Sequence, residues 1–140
     1  MGKINFVRVL LGGIVAGILL SVGEFVLNEK VLGAQMKSFS TAHLFKEPPS
    51  IFLPVAIGLT LVLGIVIVLG YAAIRPRFGA GPKTAIIAAL FAWFGCYLYC
   101  GIINALLFGI PNNTMLIFLV WGLVEYIIAA LVGAWLYKET

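Results

Sequence analysis

The chain has 140 residues, of which 63% are hydrophobic and only 10% charged, with a formal net charge of +4. A soluble domain carries roughly 25% charged residues, so this composition cannot cover a water-facing surface and excludes a soluble globular protein. The nine Lys and Arg residues form no basic helix or long cluster, which excludes a nucleic-acid interface; they sit mostly at the ends of apolar runs, where they serve topology and lipid headgroups.

A membrane span needs about 20 mostly apolar residues, and four segments qualify. The first covers residues 4–27. Lys3 and Arg8 give its start the look of a signal peptide, but Leu32 is too large to flank a cleavage point at Ala34. It reads as a retained helix. Gly2 opens no myristoylation site, because Phe6 stands where Ser or Thr is required. The outer loop 28–50 is the one sizeable segment outside the spans. Leu32, Met36, Phe39 and His43 recur there at helical spacing, which predicts a short helix lying in the interface.

The second span covers residues 51–74, with Pro54 in the first turn where a missing N–H costs little. Arg75, Arg77 and Lys83 then frame a basic loop around Gly79-Ala80-Gly81. The third span covers 84–109, Pro111-Asn112-Asn113 marks a turn, and the fourth span covers 114–137. Lys3, Arg8, Arg75, Arg77, Lys83 and Lys138 fall on one side, against Lys30, Lys37 and Lys46 on the other. The positive-inside rule then predicts that both termini and the Arg75–Lys83 loop are cytoplasmic. The expected fold is an all-α, antiparallel four-helix membrane bundle forming one domain over 1–140.

Helices in lipid pack through small residues that let backbones approach. Each span has such a stripe at four-residue spacing: Gly13, Gly17 and Ser21; Thr60 and Gly64; Ala88, Ala92, Cys96, Cys100 and Asn104; Trp121, Glu125, Ala129 and Gly133. Glu24 continues the first stripe. If the stripes face inward, Glu24, Asn104 and Glu125 meet inside the bundle. A rise of ~1.5 Å per residue puts Glu24 and Asn104 roughly 5–8 Å below the outer boundary, and Glu125, Cys100 and Thr60 roughly 13–17 Å below it, with Ser21 between. The prediction is an outward-opening polar column with Glu125 at its floor. The matching spacings Lys3 to Glu24 and Lys83 to Asn104 also suggest a faint parallel repeat.

Glu125 is the one charge in the apolar run 115–137. A carboxylate there is costly and faces protein or water. Two readings stand side by side. Glu125 handles a proton or cation, or it is a neutral carboxyl bonding across helices to Thr60, Tyr97 or Tyr99.

The Cys96/Cys100 pair has CxxxC spacing in mid-span, unlike a redox or metal pair at a helix start, and reads as packing. His43 is the single histidine, and no ligand cluster for a metal accompanies it. No catalytic triad, phosphate-cradling loop or HExxH motif is present, so neither catalysis nor a cofactor is expected.

The segments Val22-Gly23-Glu24-Phe25-Val26-Leu27-Asn28, Arg75-Pro76-Arg77-Phe78-Gly79-Ala80-Gly81-Pro82-Lys83 and Trp121-Gly122-Leu123-Val124-Glu125 carry a resemblance. With the Gly12-Gly13 and Gly17 positions, they resemble a set of small bacterial four-span membrane proteins of no assigned function. That resemblance implies a bacterial inner membrane and brings no activity with it. The leading expectation is a non-enzymatic membrane protein acting through helix packing, as an accessory subunit of a complex or a self-associating bundle in the bilayer. The alternative is a small proton-coupled transporter or channel using Glu125 and Glu24.

Overall fold

A computed structural model describes residues 3–43 and 46–138. It contains five helical stretches: α1 (Phe6–Val31), α2 (Gly33–Ala42), α3 (Phe52–Phe78), α4 (Pro82–Phe108) and α5 (Asn112–Leu136). No strand occurs among the described residues. Four of the helices, α1, α3, α4 and α5, are long and apolar enough to cross a membrane. The protein is therefore a multi-pass membrane protein built as an all-α four-helix bundle. The expected spans lie within a few residues of the observed helices. Residues 44 and 45 of the expected outer loop lie outside the described residues.

Each boundary has a local cause. Asn5 caps α1, its side-chain oxygen accepting from the Arg8 amide at 3.2 Å. Gly79 (φ 83°) and Gly81 (φ 136°) supply the left-handed turn between α3 and α4. Thr84 Oγ1 closes that turn by donating to the Gly79 carbonyl at 2.7 Å. Gly109, in the αL conformation, ends α4, and α5 begins directly after Pro111. The predicted interfacial helix is α2. Thr114 Oγ1 and Gln35 Oε1, 2.5 Å apart, tie it to the first turn of α5.

The bundle is a ring in which α1 packs on α3 and α5, and α4 packs on the same two helices. The closest seam is between α1 and α3. A Cβ added at Gly13 would stand 2.4 Å from the Ile65 Cα, and one at Gly17 would stand 2.6 Å from the Leu61 Cα. From the other side, a Cβ on Gly64 would meet the Gly13 carbonyl oxygen and the Gly17 amide nitrogen, each at 2.3 Å. These three glycines bring two backbones into contact, the arrangement that a small-residue motif makes possible in lipid. Gly133 of α5 joins the seam against Val68 and Gly12. Ala88 and Ala129 are buried in the core and Ala92 is partly buried against it.

At the end that holds the termini, Tyr137 organises the helix ends. Its hydroxyl accepts from the Asn5 amide at 3.4 Å, its ring meets Tyr71 edge-on at 6.0 Å, and the Arg75 guanidinium lies 5.6 Å from the ring centre.

The third stripe turns differently from the expectation. Cys96, Cys100 and Asn104 are all exposed, although the Cys96 thiol stays within reach of the Tyr126 hydroxyl. The cause is a π-helical stretch at Phe94–Tyr99. Its wider i→i+5 bonding accommodates one extra residue and advances the inward face by one position. Before the stretch, Ala85 and Ala89 face inward; within it Tyr97 does, and after it Gly101. Asn104 bonds back to its own helix, its amide nitrogen 2.7 Å from the Cys100 carbonyl.

Candidate functional site

Glu125 lies on the inner face of α5 with 8% of its surface exposed. Its burial depends on a glycine. A Cβ on Gly23 of α1 would stand 2.7 Å from the Glu125 Cδ, so only a residue without a side chain leaves room for the carboxyl. One turn earlier on α5, the Trp121 indole N–H donates to the Gly23 carbonyl at 3.2 Å. The carboxyl and the indole thus grip the same residue of α1. Neither oxygen of Glu125 has a hydrogen-bond partner among the described residues.

A second interlock joins α4 to both helices. The Tyr97 ring fills the space above Gly122 of α5, where an added Cβ would stand 2.3 Å from two ring carbons. The ring stacks on Phe118 at 4.3 Å and meets Tyr126 edge-on at 5.2 Å. From that socket its hydroxyl donates to Glu24 Oε1 of α1. Asn28, one turn further on, contributes an amide donor 3.2 Å from the other Glu24 oxygen.

Glu24 and Glu125 line one cavity of about 650 Å³ between α1 and α3, open on one side. Ser21, Thr60, Asn28 and Tyr126 share the lining. Ser21 and Thr60 each donate to a carbonyl of their own helix, at Gly17 (2.9 Å) and Ala56 (2.7 Å), which leaves hydroxyl lone pairs available to the cavity. Of the residues predicted from sequence for the polar site, the structure brings together Glu24, Glu125, Ser21 and Thr60. It places Cys100 and Asn104 outside, for the reason of register given above. None of the partners expected for a purely structural Glu125 bonds it: Tyr97 and Thr60 donate to Glu24 and to the Ala56 carbonyl, and Tyr99 is exposed.

The sequence reading names Tyr97 as a partner for Glu125 where the structure pairs it with Glu24, and it does not single out Gly23 or Gly122 as parts of the site. The two glycines carry no chemistry and become visible only through what they make room for. Trp93 and Trp121 each donate to a helix carbonyl, Trp93 to Leu119 at 3.0 Å and Trp121 to Gly23.

The chamber is lined by three carboxyls (Glu24, Glu29 and Glu125), three hydroxyls (Ser21, Thr60 and Tyr126) and the Asn28 amide among otherwise apolar side chains. Such a set can take up protons or hold a cation, since carboxyl and hydroxyl oxygens are acceptors. Among the described residues, no three His, Cys, Asp or Glu side chains group as metal ligands. No protein-family model, curated protein or solved structure matches the chain.

Proposed function

We propose that the protein is a small membrane carrier that takes up a proton or a cation at the chamber of Glu24 and Glu125, without catalysing a chemical reaction. One observation carries this reading: Glu125 is buried with both oxygens unpartnered, beside a second carboxyl in the same cavity. A carboxyl kept only for packing would gain by bonding a neighbour, yet the Tyr97 hydroxyl and the Trp121 indole donate to Glu24 and to the Gly23 carbonyl instead. In this reading the membrane is the bacterial inner membrane, with both termini and the Arg75–Lys83 loop in the cytoplasm and the chamber opening toward the outside.

The test is flux. Reconstituted in liposomes with an entrapped pH indicator, the wild-type protein dissipates an imposed proton gradient and Glu125→Gln does not, while retaining its helix content. Equal rates for the two, or no flux from the wild type above protein-free liposomes, overturn the reading.

The accessory-subunit reading keeps one observation in its favour. Gly95, Cys96, Cys100 and Asn104 present a small and polar face of α4 to the surroundings, and an added Cβ on Gly95 would meet nothing. Such a face suits contact with a helix of another subunit or a second copy. Against self-association through the glycine motif, Gly13, Gly17 and Gly64 are already occupied within one chain. Oxidative cross-linking through Cys100 in membranes tests this second reading, and a monomeric product under all conditions removes it.

A further inference from the structure

Glu125 lines a second cavity as well. Between α1 and α5 runs a groove of about 650 Å³, bounded by Leu19, Leu116, Val120, Val124 and Ile128, with Trp121 along it. Apart from Glu125 and the indole, the lining is aliphatic or glycine, and no Lys, Arg or His contributes to it. Val22 and Glu125 belong to both cavities. Several of the aliphatic side chains, among them Leu116, Val120 and Val124, are exposed on the surface that the span presents to lipid. The groove is therefore accessible from the bilayer, and its one titratable side chain is Glu125, whose carboxyl oxygens are buried.

We propose that this groove holds the tail of an amphipathic cation, a single-chain alkylammonium in chemical class, with its positively charged head against Glu125. The proposal rests on the carrier reading above and names its substrate. Charge complementarity selects the head. An ionised carboxyl in an aliphatic groove needs a positive partner, and a proton or an ammonium serves equally, so the two compete for Glu125. The aliphatic lining accommodates the tail by packing, as lipid and groove are similarly apolar. The lack of any basic side chain in the groove selects against a zwitterionic lipid, whose phosphate would enter without a counter-charge. Gly23 sets the meeting point: with no side chain there, the Glu125 carboxyl packs against α1, and Glu125 is shared by the groove and the acidic chamber.

The experiment measures saturable binding of tritiated dodecyltrimethylammonium to the full chain in phosphatidylcholine nanodiscs, with empty discs subtracted. Binding is expected in the wild type. Tetramethylammonium, which lacks the tail, and dodecanol, which lacks the charge, should each compete at least tenfold more weakly than unlabelled ligand. Glu125→Gln should weaken binding at least tenfold. Val120→Phe, which fills the groove from an exposed position, should weaken binding to a similar degree while retaining the wild-type helix content. Replacing half of the phosphatidylcholine by phosphatidylethanolamine should leave binding unchanged. Dodecanol competing as well as the cation, undiminished binding in Val120→Phe, or displacement by phosphatidylethanolamine overturns the proposal. Loss of flux in Glu125→Gln without any ammonium binding to the wild type overturns the substrate assignment and leaves the carrier reading standing.

Discussion

The Tyr97 hydroxyl of α4 donates to the Glu24 carboxyl of α1, linking two helices that occupy opposite corners of the bundle. Removing the donor by Tyr97→Phe leaves the ring in its socket over Gly122 and deletes only the bond. Interhelical bonds in bilayers average about 0.6 kcal/mol and reach about 1.7, so a loss in that range is expected on unfolding from bicelles. A double-mutant cycle with Glu24→Gln should be non-additive. Strict additivity would mean that the pair does not interact.

The glycine seam separates tolerant from intolerant positions. Gly17→Leu and Gly64→Leu each drive a side chain into a facing backbone, and overpacking of this kind costs about 1–3 kcal/mol or more. Gly58 and Gly70 lie on the same helix as Gly64, and an added Cβ at either would meet nothing. Leu there should change stability by no more than about 0.5 kcal/mol, as surface substitutions do. A thermal-shift or denaturant series over the four variants checks the contrast, and similar losses at all four would contradict the seam.

Glu125 should be a residue whose removal stabilises the fold. Leaving a buried polar group unsatisfied costs about 1–3 kcal/mol, and an unbranched apolar replacement of similar length avoids that cost. Glu125→Met is therefore expected to resist unfolding better than the wild type while losing flux in liposomes. A less stable Glu125→Met would show that the carboxyl has a stabilising partner.

The turn of α4 predicts a pattern of lipid exposure. Spin labels at Cys100 and at Asn104→Cys should be reached by molecular oxygen dissolved in the bilayer, whereas a label at Gly101→Cys should be shielded against Phe118. The reverse pattern would mean that the helix is α-helical throughout and that the inward face stays with the thiols.

Much of the architecture could be read from the chain, because the bilayer imposes a length and a composition that few other settings share. The four spans, the helix in the outer loop and the inward Glu125 all follow from apolar runs and spacing. The α1 and α3 glycines were legible for the same reason, as a close approach in lipid requires small side chains. The face of α4 was not legible. Its periodicity reads equally well through Cys96 and Cys100 or through Tyr97 and Gly101, and the choice depends on one π-helical stretch with no composition of its own. Gly23 and Gly122 were hidden for a different reason: their contribution is space, which belongs to the neighbour that fills it.

The π-helical stretch sets which chemistry looks onto the carboxyls. With it, α4 presents a phenol, a hard donor that can share a proton with Glu24. Were that stretch straightened while the outer half of the helix kept its sequence, the inward positions would pass to Cys96 and Cys100. Two soft sulfur atoms would then stand opposite two oxygens, a ligand set suited to thiophilic metals rather than to protons. A single-residue slip in α4 thus separates two families of cargo.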